Sequence, residues 1–591
     1  MPEMKKPRNT KKTVLQLFKY MMRHKFLLII ACICSVTAPV FTARATFLLK
    51  PAINDGIIPL FGQPDPDFSP FVKILVQMAV MYVGAALTSF FQTLLMTKLC
   101  HETVAEIRED LFAHMQQLPL SYFDTVGRGK VMSAYSSDLY TLMLMLKMSV
   151  PQILSGVVSI VSIIASMLIL NVSLTAFVAA YLVIVVVVNR FVVARTARYT
   201  KNTQESIREM NGFIEEMVEG QNVIRLFTKE DDMRSQFRKQ SEELYGVCAD
   251  AKTFTNIIYP VNSGVSNLGF TAVAVFGVFL IIRGLSDVGS VCAFIQYYRQ
   301  FGTPVLQVSQ QVSNVFSALA GAERIFVMLS EDCEVNEGGK VLEENTVLRT
   351  GIVFKDVDFG YSKDRPVLKD FSLEITPGQR VAFVGASGAG KSTIAGLIDR
   401  FYDIDGGCIT YDGTDIRDID KYCLRKKIAV VLQDTHLFTG TIMENIRFGR
   451  PEASDEEVRA AAKMANADFF IEHLPEKYDT VLEADGTMLS DGQRQLIAIA
   501  RAAVSKAPIL ILDEATSLLD TRTEKMIEDG LCQLMKSKTV FMIAHRLSSV
   551  KNADVIVVLK DGAIAERGTH EELMKKRGVY FALNRDPAYS L

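Results

Sequence analysis

The sequence has no excess of basic residues. Its 591 residues include 64 lysines and arginines against 66 aspartates and glutamates, which gives a formal net charge of −2 at pH 7. Domains that bind nucleic acid carry a basic surplus, so this balance indicates no nucleic-acid partner. A chain of this length is also too long for a single hydrophobic core, and at least two domains are expected.

The nine cysteines form no C-x-x-C pair and no cluster with histidine. Neither a disulfide framework nor a zinc site is therefore indicated. Cys32 and Cys34 lie inside an apolar run, where a thiol behaves as a small hydrophobic side chain. This usage fits a reducing compartment for the C-terminal half of the chain.

Long apolar runs are concentrated before about residue 325. Crossing a bilayer takes ~20 apolar residues, and we predict six spans, over Phe26–Leu49, Phe71–Met96, Val150–Leu170, Leu174–Val193, Thr255–Ile282 and Val288–Leu319. The first run is too long for the core of a signal peptide. The last run is interrupted by Gln296, Arg299 and Gln300. Residues 1–330 are thus predicted to form a six-helix transmembrane domain embedded in membrane lipid.

Basic residues fix the predicted orientation. They crowd ahead of the first span, whereas residues 55–70 contain neither lysine nor arginine. Because basic loops stay on the cytoplasmic side, the N-terminus is predicted to be cytoplasmic, and six spans return the C-terminus to the same side. Residues Thr13–Met22 are predicted to form an amphipathic helix at the inner surface, the alternative being a disordered basic tail. The expected location is the plasma membrane of a bacterium.

Two long polar stretches separate the spans, over residues 98–145 and 195–253. Each has a helical pattern and is predicted to continue the membrane helices into the cytoplasm. Breaks fall at Tyr122–Gly129 and at Gly220–Asn222, which would create tips suited to contacting another domain. Ordinary loop turns are the alternative. The candidate contact residues are Phe123, Asp124, Gly220 and Gln221.

A glycine-rich stretch in the second half follows a predicted strand and precedes an apolar helix. It reads GASGAGKST and comprises Gly385, Ala386, Ser387, Gly388, Ala389, Gly390, Lys391, Ser392 and Thr393. The pattern G-x-x-x-x-G-K-[ST] is typical of a loop whose amides cradle a polyphosphate at a helix N-terminus. The lysine would reach the β- and γ-phosphates, and the serine hydroxyl would lie on Mg²⁺. A glycine turn without a ligand is the alternative.

Short apolar runs alternate with helical patterns between residues 345 and 583, which predicts an α/β domain with a largely parallel sheet. The predicted strands are Val381–Val384, Ala429–Leu432, Ile509–Leu512, Val540–Ile543 and Val555–Leu559. Polar residues follow several of them. Asp513 suits Mg²⁺ and Glu514 suits polarisation of the attacking water. Gln433 and His545 also follow strands, and the ring of Tyr361 could stack on adenine.

These motifs, with Leu489–Gln493 and Ser517–Asp520, resemble the Walker A, Q-loop, signature, Walker B, D-loop and switch histidine of an ABC ATPase. The six spans ahead of them make the chain similar to a half-transporter of the ABC exporter class. The resemblance implies a multi-domain membrane protein with an ABC nucleotide-binding domain. It implies a dimer that uses ATP and Mg²⁺, with Ser392, Gln433 and Asp513 at the metal and Glu514 and His545 catalytic. ATP would contact the partner's signature, here Ser490, Asp491, Gly492 and Gln493.

One departure from the family pattern concerns the signature, where Asp491 stands in place of a second glycine. An intact Glu514 beside a degenerate signature resembles the catalytic-glutamate half of a heterodimeric exporter. The expected function is ATP-driven export of a hydrophobic or amphipathic molecule, such as a drug, lipid or peptide. The alternatives are a homodimeric exporter, an exporter-shaped siderophore importer, a non-enzymatic regulatory half and a soluble ABC-type ATPase acting on DNA or ribosomes.

Overall fold

The computed structural model describes residues 9–61, 67–342, 348–362, 365–386, 388–513, 521–536, 538–543 and 550–585. The chain divides into two units. The first contains Met1–Gln116 and Arg128–Glu331, and the second contains Gln117–Gly127 and Asp332–Leu591. The short segment Gln117–Gly127, which lies within the first predicted polar stretch, therefore packs with the second unit.

Helices make up the first unit. The α-helices up to residue 328 all belong to this unit except α5, which belongs to the second unit. In chain order they are α1 Thr10–Met21, α2 Lys25–Phe47, α3 Leu49–Pro51, α4 Ser69–Met115, α5 Leu120–Val126, α6 Arg128–Ser133, α7 Leu139–Leu144, α8 Val150–Leu170, α9 Val172–Glu219, α10 Gln221–Leu226, α11 Glu230–Ile282 and α12 Val288–Met328. Helix α1 confirms the helix predicted over Thr13–Met22. Side chains that accept backbone hydrogen bonds start α9 and α12, with Asn171 capping Leu174 at 3.0 Å and Asp287 capping Ser290 at 2.7 Å.

Helices occupy all six predicted spans, although their apolar character differs. Four described segments are long and apolar enough to cross a membrane, namely Thr10–Leu60, Ser69–Met115, Arg128–Leu170 and Ser263–Ile282. In the part of the chain that the structure describes, the fourth predicted span coincides with a shorter apolar helix, Val172–Val183. Helix α12 is long enough to span but less apolar than these four segments, and it contains the polar residues Gln296, Arg299 and Gln300.

The first unit is held by long helices packed in pairs, α2 with α4, α8 with α12, and α9 with α11. Phe294 and Tyr297 of α12 are fully buried, and the Tyr297 hydroxyl donates to the Ala43 carbonyl at 2.6 Å. Nearer the end of α12, the Arg324 guanidinium donates to both carboxylate oxygens of the buried Asp138, at 2.9 and 2.5 Å. Such a bidentate pair fixes the relative position of two helical segments.

The break predicted at Tyr122–Gly129 is confirmed at Gly127, although residues 122–126 before it are helical. Residues Leu120–Val126 form helix α5, and the chain turns on either side of it, at Pro119 and at Gly127. Gly127 has a φ of 79°, which a residue with a side chain adopts at a cost. The break predicted at Gly220 is confirmed, because Gly220 ends α9 and the short helix α10 follows.

The described residues of the second unit contain three sheets. A six-stranded sheet has the order β12-β11-β3-β10-β9-β6, with parallel pairing from β11 to β6 and an antiparallel β12 at one edge. A four-stranded antiparallel sheet has the order β2-β1-β4-β5, and β7 pairs with β8. The strands are β1 Ile352–Ser362, β2 Arg365–Ile375, β3 Arg380–Gly385, β4 Gly406–Tyr411, β5 Thr414–Asp415, β6 Ile428–Val431, β7 Gly440–Thr441, β8 Val481–Leu482, β9 Ile509–Asp513, β10 Thr539–Ile543, β11 Val555–Lys560 and β12 Ala563–Gly568.

All five predicted strands are confirmed, as β3, β6, β9, β10 and β11, and so is the largely parallel sheet. The antiparallel sheet was not predicted. Helices cover the faces of the parallel sheet, and the core includes Phe383, Ile511 and Phe541. The helices of this part are α13 Lys391–Ile398, α14 Lys421–Lys426, α15 Ile442–Arg447, α16 Asp455–Met464, α17 Asp468–Glu472, α18 Asp491–Val504, α19 Thr521–Leu534, α20 His570–Lys576 and α21 Val579–Arg585.

Candidate nucleotide-binding site

The phosphate loop connects β3 to α13. Gly385 ends the strand, and Lys391 begins the helix. Gly388 and Gly390 have φ angles of 79° and 98°, which favour glycine. A Cβ on Gly390 would lie 2.9 Å from the Leu368 side chain, so packing as well as conformation requires glycine there. Ala386 and Ala389 complete the turn, whereas Ser387 lies outside the described residues.

The first three side chains of α13 alternate between buried and exposed positions. Lys391 is 5% exposed, and its Nζ donates to the carbonyls of Gly385 at 2.6 Å and Ala386 at 3.0 Å. Ser392 is exposed on the first helical turn, and Thr393 is buried. A cation inside a glycine loop at a helix N-terminus is an arrangement that binds polyphosphate.

The carboxyl ends of the parallel strands bring several predicted site residues to one edge of the sheet. Ile543 of β10 pairs with Asp513 of β9 on one side and with Phe383 of β3 on the other. Strand β10 therefore separates Asp513 from β3, the strand that leads into the phosphate loop. Gln433 is exposed two residues beyond the neighbouring strand β6.

Several predicted site residues that follow these strands in the sequence fall outside the part of the chain that the structure describes. They are the catalytic candidates Glu514 and His545 and the segment Ser517–Asp520. Glu514 follows directly after the last residue of β9, and His545 comes two residues after the end of β10.

Tyr361 lies at the end of β1, beside the phosphate loop. Its hydroxyl and that of Thr393 are 3.0 Å apart and share a hydrogen bond. Its ring is 55% exposed, and it packs edge-on against Phe359 and Tyr402, with centroid distances of 5.2 Å in both cases. A half-exposed ring tethered to the phosphate-loop helix is available for stacking on a flat base.

The signature residues begin helix α18. Ser490 and Gln493 form a capping box, with the Ser490 amide donating to Gln493 Oε1 at 2.9 Å and the Gln493 amide donating to Ser490 Oγ at 3.3 Å. Gly492 is buried. The Asp491 carboxylate, on a side chain that is 72% exposed, accepts a hydrogen bond from Arg494 one turn along the helix.

Sequence reasoning missed Asp485, which holds the loop after Gln433. Its carboxylate accepts from the Leu437 amide at 2.7 Å and lies 3.2 Å from His436 Nδ1. The hydrogen bond from the Leu437 amide, together with His436, lowers the pKa of this carboxyl. The sequence carried no signal for this contact, because 48 residues separate Asp485 from Leu437.

Arg501 of α18 was missed as well. Its guanidinium lies 5.8 Å from the ring of Phe438 and 5.6 Å from that of Phe448. It donates to the carbonyls of His436 at 3.0 Å and Asn445 at 2.9 Å, and burial lowers its pKa. These contacts fasten the segment that follows Gln433 to α18, the helix that begins at the signature.

The candidate contact residues of the two loop tips lie in different units. Phe123 and Asp124 belong to α5 and so to the second unit, where Asp124 accepts a hydrogen bond from the Tyr402 hydroxyl. Gly220, which follows α9, and Gln221, which begins α10, belong to the first unit.

Comparison with known proteins agrees with both units. Residues 26–305 match the family ABC transporter transmembrane region, and residues 368–517 match the family ABC transporter. A fatty acid ABC transporter ATP-binding/permease protein of Mycobacterium bovis is 37% identical over 519 residues, which cover 88% of this chain and 82% of the relative. An ATP-dependent lipid A-core flippase of Syntrophus aciditrophicus is 32% identical over 560 residues, which cover 94% of this chain and 91% of the relative. A solved bacterial Atm1-family ABC exporter with ATP bound has a TM-score of 0.73 at 27% identity, covering 95% of this chain and 98% of that one.

The chain therefore belongs to the ABC exporters whose membrane and ATP-binding domains are fused in one polypeptide. It is a membrane protein and an ATPase coupled to transport, with the fold of the Atm1 type. Half-transporters of this kind function as dimers. The predicted fold class and enzyme class are thereby confirmed.

Proposed function

We propose that this chain is one half of a dimeric transporter that exports an amphipathic molecule with an anionic head group across the plasma membrane of a bacterium. The proposal rests on the charge of the predicted spans, which contain no aspartate or glutamate but do contain Lys73, Arg190, Arg44 and Arg299. The last two are exposed, and each guanidinium lies over a phenylalanine ring, at 5.3 Å from Phe47 and 4.3 Å from Phe270.

Charges inside a membrane domain are costly and usually serve a pathway or a partner of opposite sign. A cationic amphiphile would find no carboxylate in these spans, whereas a carboxylate or phosphate head group would find guanidinium groups. The names of the relatives are compatible with this preference, since one is called a fatty acid transporter and the other a lipid A-core flippase.

The test uses the chain reconstituted into lipid vesicles with its native partner, with dodecanoate and dodecylamine as probes of opposite charge. We expect dodecanoate to stimulate ATP hydrolysis and Arg299→Gln to weaken that stimulation, while Arg299→Lys preserves much of it. Arg283→Gln, at the end of α11, is the matched control. Stimulation by dodecylamine but not by dodecanoate would contradict the anionic preference.

At the nucleotide site, we assign Lys391 to the β- and γ-phosphates of ATP and Tyr361 to the adenine ring. Ser392, Gln433 and Asp513 offer hydroxyl, amide and carboxylate oxygens, which are the donors that Mg²⁺ prefers. When bound, Mg²⁺ would neutralise charge on the phosphates. Glu514 orients and polarises the attacking water, and His545 donates a hydrogen bond to the γ-phosphate.

In the proposed dimer the partner is a different half-transporter. The support is Asp491, because a carboxylate at the start of α18 would face the γ-phosphate held by the other half. Two unit charges ~4 Å apart interact by about 4 kcal/mol at an effective dielectric of 20. Because the Arg494 guanidinium donates to the Asp491 carboxylate and partly neutralises it, this repulsion energy is an upper value. The site that uses Lys391 and Glu514 would then be the active one.

Purification of the tagged chain from its native membrane tests this assignment. A second, different half-transporter in the complex is the expected result. A complex containing only this chain, with two equivalent hydrolytic sites, would favour the homodimeric exporter. We place both termini in the cytoplasm, as the basic residues before α2 favour, and cysteine labelling from each side of the membrane tests this orientation.

A further inference from the structure

We propose that Tyr402 is a positioning residue that links the first intracellular loop, through Asp124, to the ring of Tyr361 at the nucleotide site. The inference rests on the proposed role of Tyr361 in stacking on adenine. Through this contact, a shift of helix α5 would change the binding of ATP.

The first part of the link is a hydrogen bond between α5 and the loop after α13. The Tyr402 hydroxyl donates to the Asp124 carboxylate, across 278 residues of sequence. Asp124 is exposed and Tyr402 is half-buried. Burial and this hydrogen bond both raise the pKa of Tyr402, so the hydroxyl keeps its proton across the physiological range. A hydrogen bond from a neutral hydroxyl to a carboxylate is among the stronger ones in proteins.

The second part of the link is a cluster of three aromatic rings. The Tyr402 ring stands perpendicular to the Tyr361 ring, at 5.2 Å between centroids and 89° between planes. Phe359, which is buried, lies 5.7 Å from Tyr402 and 5.2 Å from Tyr361. Edge-to-face contacts of this kind have a preferred geometry, so a displaced ring moves or releases its neighbours.

The third part is the attachment of Tyr361 to the phosphate loop. Its hydroxyl shares a hydrogen bond of 3.0 Å with Thr393, which is buried on the helix that begins with Lys391. Tyr361 is therefore held by three contacts, with Thr393 of the phosphate-loop helix, with the Tyr402 ring and with the Phe359 ring. Of these three neighbours, Tyr402 is the one that hydrogen-bonds to α5.

Removing either member of the Asp124–Tyr402 pair should therefore weaken nucleotide binding without abolishing turnover. Tyr402→Phe keeps the ring and removes the hydrogen bond, so we expect about a 3-fold weaker affinity. Tyr402→Ala also removes the ring contact, and a further loss of up to about 10-fold is expected from the size of aromatic pair energies. In both variants KM for ATP rises while kcat stays near that of the parent.

The experiment measures TNP-ATP affinity and steady-state ATP hydrolysis on the full chain with its native partner in lipid nanodiscs. We expect Asp124→Ala to match Tyr402→Phe, although Asp124 is not expected to touch nucleotide. The double variant Asp124→Ala/Tyr402→Phe should bind TNP-ATP no more weakly than either single variant, because both substitutions remove the same interaction. Asp124→Asn, which keeps an acceptor oxygen, should restore the affinity. Thr125→Ala, on the same short helix, is the control and should leave it unchanged.

Two failures are distinguishable. If the parent complex does not bind TNP-ATP, the assigned nucleotide site is wrong. If the parent binds it and Asp124→Ala and Tyr402→Phe both match Thr125→Ala, the link through Tyr402 is overturned. Additive losses in the double variant would also overturn it, because the two residues would then act independently.

Discussion

Replacing Asp399 should make the protein more stable, and the gain should depend on pH. Asp399 follows α13 at its C-terminal end and is 4% exposed. Burial raises the pKa of this carboxyl from 3.8 to about 7, against the opposing effect of the nearby Arg425. A carboxylate at a helix C-terminus is also disfavoured by the helix dipole. The ionised form of Asp399 thus opposes folding.

The direction of the pH dependence follows from the raised pKa. Below pH 3.8 the carboxyl is protonated in both the folded and unfolded states and costs nothing. As pH rises towards 7 the unfolded state ionises first, so the folded state is progressively disfavoured, and above about pH 7 the cost is complete. A shift of roughly 3 units corresponds to at most ~4 kcal/mol, of which roughly 2–3 kcal/mol develops between pH 5 and pH 8.

The assay compares thermal unfolding of Asp399→Asn with that of the parent, at pH 5 and pH 8, in nanodiscs. The Tm of the variant minus the Tm of the parent should be larger at pH 8 than at pH 5, by about 5–10 °C given the size of the second unit. Asp529→Asn, exposed on α19, is the control and should show no such growth. A difference in Tm that is the same at both pH values, or an Asp399→Asn variant less stable than the parent at pH 8, would refute the reasoning.

Three further outcomes are expected. Glu514→Gln should bind ATP but lose about 10²–10⁴-fold in turnover, measured on the assembled complex, since a positioned base is removed; turnover near the parent rate would exclude Glu514 as that base. Lys391→Ala should weaken ATP binding by about 10–100-fold in a titration, because a charged contact to phosphate is lost. Arg501→Met should lower the unfolding midpoint by the equivalent of about 2–3 kcal/mol, because the carbonyl oxygens of His436 and Asn445 lose their donor; an unchanged midpoint would contradict the role assigned to Arg501.

Elements with a strong local signal could be predicted from the sequence. The strands of the parallel sheet are short aliphatic runs buried on both faces, and β9 with its terminal Asp513 is an example. The phosphate loop was visible because its glycines and lysine must stand in a fixed spacing. The capping box of Ser490 and Gln493 is likewise local, and the structure contains it.

The missed features depend on contacts between distant residues or on a weaker pattern. Strand β1 has exposed positions and several register shifts against β2, so its apolar alternation is irregular. Helix α5 was read as a break because its seven residues are flanked by Pro119 and Gly127 and are too few to show a helical period. The roles of Asp485 and Arg501 arise only where the fold brings them to the segment after Gln433.

The most direct test of the central claim is transport by the purified complex in vesicles, with the nucleotide domains facing outward. A fluorescently labelled dodecanoate is the probe, and ATP is added outside. We expect ATP to drive the probe into the vesicle lumen, away from the nucleotide domains, and Glu514→Gln to abolish this movement. Movement of the probe out of the lumen, or uptake equal with and without ATP hydrolysis, would contradict it.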